Sequence, residues 1–182
     1  MSEQVLKQPE ATRTKLLRAA RQILGEKGVL ALTLAEVAAV AGVSKGGLLY
    51  HFPNKTALLS ALLDFEVEEF DKAVTNATRG DRSPGAWTRA YIRASFDETR
   101  TGHSMAAQVG ALLLEPSLVS VYASHVSRWG ELLSADGLEP LNVQLVRFAV
   151  EGLWFDELFG VRPLDNDARQ RFIEMLIGLA ST

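Results

Sequence analysis

Along nearly the whole chain, apolar residues recur three and four positions apart, and no stretch sustains a period-two alternation. Such spacing lines one face of a helix, whereas a half-buried strand needs apolar residues at alternate positions. The chain therefore reads as all-α, with about nine helices. The tightest constraint lies at 141–159, where Leu141, Val143, Leu145, Val146, Phe148, Val150, Leu153, Trp154, Phe155 and Phe159 make a helix apolar nearly all round. A helix that is apolar all round must be covered on more than one side.

Capping residues and glycines set the expected boundaries. A first helix runs from about Pro9 to Lys27, with Leu16, Leu17, Ala20, Ile23 and Leu24 on one stripe and Gly28 as its C-terminal cap. Thr33 and Glu36 fit a capping box for a short second helix. Gly42 supplies a turn that needs positive φ. Ser44 caps a third helix reaching about Tyr50, Pro53 breaks it, and Asn54 caps a long fourth. After the Arg79–Gly85 loop, with Ser83 as cap and Pro84 in the first turn, helices are expected near 86–101, 104–114, 116–135, 140–159 and 166–180. Gly102, Pro116, Asp136-Gly137, Gly160 and Pro163 separate them, and Asp165 or Asn166 opens the last. The division expected is 1–55 as one domain and 56–182 as a second, joined by the helix that starts near 54.

Composition removes several functions. With 182 residues, 47% apolar and 23% charged, the chain has the make-up of a globular protein. It has no cysteine, so neither disulfides nor thiolate zinc sites are available. His51, His103 and His125 form no metal-ligand spacing, so no metal and no cofactor are expected. The adjacent acids Asp97-Glu98 and Asp156-Glu157 diverge by about 100° on a helix and make no common catalytic site. There is no nucleophile elbow and no phosphate-binding glycine loop, so an enzyme is not expected. No apolar run approaches the ~18–20 residues of a membrane span, and Met1–Glu10 has no signal-peptide core. A cytoplasmic protein without membrane contact is the expectation.

The charge is uneven. Residues 1–60 hold eight Lys and Arg against four acids, a net +4, while the remainder holds eleven against eighteen, a net −7. A basic segment on an acidic body points to a polyanionic partner for the first part only. That part also contains two short helices joined by a glycine turn behind a longer covering helix, which is the helix-turn-helix arrangement. Lys45 and Lys55 sit just after caps, where a cation opposes the helix dipole by roughly 0.3–1 kcal/mol unless a phosphate lies nearby. Gly46-Gly47 weakens a helix only about six residues long, each glycine costing about 1 kcal/mol against alanine, and allows the backbone close to a surface such as DNA.

The run Thr33-Leu34-Ala35-Glu36-Val37-Ala38, then Ala41-Gly42-Val43-Ser44-Lys45-Gly46-Gly47-Leu48-Leu49-Tyr50-His51-Phe52, then Asn54-Lys55 and Leu58, resembles the DNA-binding domain of the TetR family of transcriptional repressors. The resemblance covers roughly residues 10–60, with Pro53 and Gly47 as local departures. It implies that Thr33, Tyr50, His51 and Lys55 grip phosphates of a double-stranded operator. It also implies that Lys45, Gly46, Gly47 and Leu48, on the helix capped by Ser44, face base edges, with Leu49 and Phe52 packed beneath. So few polar base readers leave part of the specificity to DNA shape.

The same resemblance implies a C-terminal cavity for a small-molecule effector and a homodimer. Trp87, Tyr91, Phe96, Leu113 and Trp129 are its expected apolar lining, with Arg93, His103 and Gln108 as polar anchors, in a stretch that also holds Tyr122 and His125. Two strongly apolar helices ending the chain suggest a four-helix interface between copies, with Leu145, Phe148, Trp154, Phe155, Phe172, Leu176 and Leu179 at the contact. The expected function is a one-component regulator, a repressor released by a largely apolar ligand. An activator of the same fold is the alternative, and a helical adaptor or metal-free enzyme stand further off.

Overall fold

A computed structural model describes residues 3–97, 101–161 and 164–181. Among them it shows nine α-helices and no strand: α1 (Glu3–Lys27), α2 (Leu34–Ala41), α3 (Lys45–His51), α4 (Lys55–Ala77), α5 (Ala86–Ser95), α6 (Thr101–Leu114), α7 (Val119–Ser134), α8 (Pro140–Phe159) and α9 (Asn166–Leu179). Residues 98–100, at the end of the helix expected over 86–101, and the break at Pro163 lie outside the described residues. Gly102 falls inside α6 rather than before it. Among the described residues, no single helix is long and apolar enough to cross a membrane.

The chain divides into two compact units, Met1–Glu66 with Gly102–Val121, and Val67–Thr101 with Tyr122–Thr182. This differs from the boundary expected at 55/56, because α6 packs with the N-terminal helices. In that unit Leu16, Leu17, Ala20, Ile23 and Leu24 of α1 are buried, as their spacing required, together with Val37, Ala38, Leu58, Leu59, Leu62 and Leu63. Each large aliphatic side chain so buried contributes roughly 1.5–3 kcal/mol. Buried Ala107 and Ala111 lie on α6, and a Cβ at Gly110 would come within 2.9 Å of Leu24 and 3.3 Å of Val29. The lack of side-chain bulk there is what lets α6 lie against α1. At the centre is the fully buried Glu66. Arg21 donates to it through Nε and Nη2 at 2.6 and 3.0 Å, and Ser104 through its hydroxyl at 2.5 Å. A buried carboxylate needs such partners, since ions leave water at a cost of several kcal/mol.

The second unit is organised around Phe70, Ile92, Trp129, Leu133, Val146, Val150 and Leu153. Its α5 does not begin on Ser83 and Pro84 as expected. Gly85 stands at the cap with φ 78°, and the capping carboxylate comes from Asp136, far along the chain. Asp136 accepts from the amides of Trp87 and Thr88 at 3.1 and 2.7 Å and from the Thr88 hydroxyl at 2.8 Å. Ser83 instead donates to Asp81, and Arg89 ties this loop to the end of α9 by donating to the carbonyls of Pro84 and Ala180. Asp165 caps α9 as expected, accepting from Ala168 at 2.7 Å.

Candidate nucleic-acid interface

The helix-turn-helix is built from local signals. Thr33 Oγ1 accepts from the Glu36 amide at 3.1 Å and starts α2. The other half of the expected capping box is not made, because the Glu36 carboxylate pairs with Lys27 at 2.6 Å. Gly42 ends α2 in the left-handed region (φ 60°, ψ 38°), a conformation any Cβ would strain. Ser44 Oγ then accepts from the Gly47 amide at 3.0 Å and starts α3. Asn54 caps α4 in the same way, accepting from Ala57 at 2.8 Å, so Lys55 stands in the first turn.

The orientation of α3 differs from expectation at two positions, Leu48 and Leu49. Leu48 does not face outward; it is 0% exposed and, with buried Phe52 one turn on, anchors α3 to the core. Four consecutive residues cannot share a face of a 3.6-residue helix, so 45–48 could not all point at DNA. Leu49, expected beneath, is exposed. The outward face is Lys45 and Gly46, followed one turn later by Leu49 and Tyr50, the last 80% exposed with its ring edge-on to His51 at 5.2 Å. The two glycines also separate. A Cβ at Gly47 would come within 2.9 Å of Val43 and 3.2 Å of Ser44, whereas one at Gly46 meets nothing within 4 Å. The fold explains Gly47 and leaves Gly46 unexplained.

Side chains of α1 that the motif did not single out flank this face. Arg13 lies over the Phe52 ring at 5.6 Å, and the Lys15 ammonium lies beside Gly42. Among the described residues Arg13, Lys15, Arg18, Lys45 and Lys55 form no ion pair with a carboxylate. Their one sequence signal is the excess of base over acid in residues 1–60. Near the start of α4, Thr56 donates to Glu115 at 2.7 Å and Ser117 donates to the same carboxylate at 2.6 Å. Those bonds, Ser117's first, hold Glu115 below the usual carboxylate range.

Of the residues expected around an effector, the second unit brings together Trp87, Tyr91, Phe96 and Trp129. Trp87 stacks on Tyr91 at 5.7 Å, and Phe70 joins Tyr91 and Trp129 at 5.6 and 4.8 Å. Arg93 and Leu113 are not part of any enclosed lining, because both side chains are exposed. His103 and Gln108 fall in the other unit, His103 against Gly25, and Gln108 buried with no hydrogen-bond partner for its Oε1 among the described residues.

The second unit also presents an apolar face. On α8, Leu141, Leu145, Phe148, Phe155 and Phe159 are exposed, with Gly152 completing a stripe at four- and three-residue spacing. Leu176, expected at a contact between copies, is 2% exposed and belongs to the core. Trp154 also turns inward, donating its indole N–H to the Ser95 carbonyl at 3.0 Å, while Phe172 and Leu179 pack against the core from its edge. With α8 apolar nearly all round, packing decides which of its apolar residues are left outside. Val143, Val146, Val150 and Leu153 go in, and the opposite stripe stays out.

Two family models match the chain. "Bacterial regulatory proteins, tetR family" covers residues 16–62, and "Tetracyclin repressor-like, C-terminal domain" covers residues 85–181, more than half of the sequence. The chain belongs to the TetR family. Its members are regulatory proteins, which sets aside the enzymatic reading. The HTH-type transcriptional regulator TtgR of Pseudomonas putida is 37% identical over 99 residues. That match takes in 54% of this chain and 47% of TtgR, so the chain spans about half the length of this relative. A transcriptional regulator from Rhodococcus sp. Rha1 shares the fold, with a TM-score of 0.74 at 21% identity, covering 92% of this chain and 95% of that one. The multidrug binding protein EbrR, complexed with ethidium, superposes with a TM-score of 0.65 at 25% identity over 92% of this chain and 98% of EbrR. EbrR has also been solved with malachite green. The TetR N-terminal match, 16–62, contains the whole of α2, the turn and α3.

Proposed function

We propose that this TetR-family chain is a one-component repressor: a homodimer that docks α3 in the major groove of a pseudo-palindromic operator and is released by a small molecule bound in its C-terminal unit. The observation that carries this is the outward face of α3. It pairs an unencumbered Gly46 backbone with exposed Tyr50, in a setting where five cations of α1, α3 and α4 have no carboxylate to pair with among the described residues. Free cations around a bare helix face fit a duplex, whose phosphates neutralise them and whose groove admits the helix. Thr33, Ser44, Lys45, Tyr50, His51 and Lys55 hold the backbone, and Gly46 lets the helix approach. Gly47 permits the turn geometry that aims it, and Leu48 fixes α3 from behind. Few polar side chains reach base edges, so shape and deformability of the site carry much of the specificity.

The apolar stripe of α8 supports pairing of two copies, because a face of this kind left in water is a recurrent mark of an interface. A dimer presents two copies of α3 to successive major-groove faces, about 34–36 Å apart. The aromatic cluster around Tyr91 supports an effector site, and the likeness of residues 85–181 to the C-terminal domain of a repressor supports repression. A regulator of this kind works beside the chromosome, in the cytoplasm. Crosslinking of the chain to DNA in its own cell, with transcription measured before and after deletion, tests the reading. Discrete occupied sites whose adjoining genes rise on deletion are expected. Dispersed crosslinks, or adjoining genes that fall, would overturn repression at an operator.

A further inference from the structure

The outward side of α8 has an order of its own. Leu141, Leu145, Phe148, Phe155 and Phe159 are each more than half exposed, and with Gly152 they follow a spacing of four, three, four, three and four residues. That is a 3.5-residue period, the narrow seam of a helix that packs along another helix. Gly152 interrupts the seam in the middle of a 20-residue helix, where glycine is costly. A Cβ at this position meets nothing within 4 Å, so nothing in its own copy calls for glycine there. Gly130 and Gly178 are open too, but Gly152 alone stands in a run of exposed Leu and Phe, with Phe148 one turn before it and Phe155 one turn after. A gap in that place points to a side chain from outside the copy.

The spacing reads the same in both directions, so the seam can face a second copy of itself run antiparallel. With the twofold axis beside Val150, Leu141 faces the partner's Phe159, Leu145 the partner's Phe155, and Phe148 the partner's Gly152. Each layer then joins a larger side chain to a smaller one. The two central layers set a Phe ring against bare backbone, so the helices come closest at the axis. Phe155 and Phe159, with rings parallel and 6.0 Å apart, offer the two Leu a flat apolar surface. Sliding the pair by one heptad either way leaves two of the six positions beyond the end of the partner's helix. A parallel pair sets Phe148 on the partner's Phe148 and Gly152 on the partner's Gly152, which crowds one layer and empties the next. Covering the exposed parts of three Phe and two Leu removes on the order of 500 Å² per copy, enough for a pair to reach the ~1,000 Å² of a specific interface.

We propose that two copies pair through antiparallel α8 helices, in the register that seats Phe148 of each in the gap over the partner's Gly152. This rests on the reading that the chain is a homodimer joined by α8, and it adds what selects the partner. A second copy fills both central layers at once. A chain of the same fold with a bulky side chain at that position meets Phe148 head-on, so the gap admits this chain and turns others away.

The test is the dimer dissociation constant of the full chain, measured by analytical ultracentrifugation for the wild type, Phe148→Ala, Gly152→Phe and the double variant. Gly152→Phe should weaken the dimer at least roughly a hundredfold, because it sets ring against ring in both central layers. Phe148→Ala should weaken it at least about tenfold by emptying them. Both should keep the helical circular dichroism of the wild type, since both positions are exposed. Mixed one to one, the two single variants should form a heterodimer at least roughly tenfold tighter than either homodimer, because each central layer again holds one ring. The double variant should recover for the same reason. A wild type that stays monomeric would sink the homodimer and the register together. A dimer that Gly152→Phe leaves unchanged or tightens would keep the homodimer and overturn the register. Loss in both single variants, with no recovery in the mixture or the double variant, would overturn the pairing of Phe148 with the partner's Gly152.

Discussion

Replacing Gly46 by alanine should strengthen the fold and weaken the interaction with DNA, an opposition that a purely structural glycine would not produce. The position is helical, its φ is not positive, and an added methyl meets nothing within 4 Å. Alanine therefore gains its full helical advantage, about 0.4–1 kcal/mol. For a chain of this length each kcal/mol raises the melting temperature by roughly 2–4 °C. The same methyl projects from the face that carries Tyr50, one turn away, and holds α3 off the groove floor. Losing one well-made groove contact costs about 1–3 kcal/mol, a fall in affinity of roughly ten- to a hundredfold. Thermal melting and fluorescence anisotropy on a selected operator fragment read the two effects separately. Gly47→Ala is the control, since its methyl meets Val43 at 2.9 Å and Ser44 at 3.2 Å and should forfeit the gain in stability. A Gly46→Ala protein that melts higher and binds the operator as the wild type does would refute close approach at this residue.

Lys55→Ala should weaken binding evenly across operator sequences and lower the slope of log affinity against log salt by about one, as for a lost phosphate contact; an unchanged slope would remove Lys55 from the interface. Phe148→Glu should give folded monomers by light scattering, because it charges the exposed stripe, whereas Leu176→Ala should cost about 2–5 kcal/mol of stability through a core cavity. A folded dimer from Phe148→Glu would move the contact elsewhere. Asp136→Ala should lower stability by about 1–3 kcal/mol by uncapping α5, measured by denaturant titration, with Asp136→Asn intermediate.

The parts of this molecule that were legible in sequence are those fixed by short-range chemistry. Thr33, Gly42, Ser44 and Asn54 each act within three residues, so the helix-turn-helix and its limits followed from them. The facing of α3 did not follow, because a seven-residue helix containing two glycines has too few apolar positions to define a stripe. The inward side of α8 was hidden for the opposite reason, an excess of apolar positions. Contacts between distant residues left no local trace. Asp136 caps α5 from 49 residues past Trp87, and Glu66 meets Arg21 across 45 positions. The cations of α1 were visible only as a regional excess, since charge counts carry no direction.

Selection of bound duplexes from a random pool by the full chain tests the central claim most directly. A dimer that docks one α3 per half-site should enrich an inverted repeat, with half-site centres about 10–10.5 base pairs apart or a multiple of that spacing. Gly46→Ala should enrich the same repeat more weakly. A single unrepeated site, or a bound pool with no enriched sequence, would contradict it.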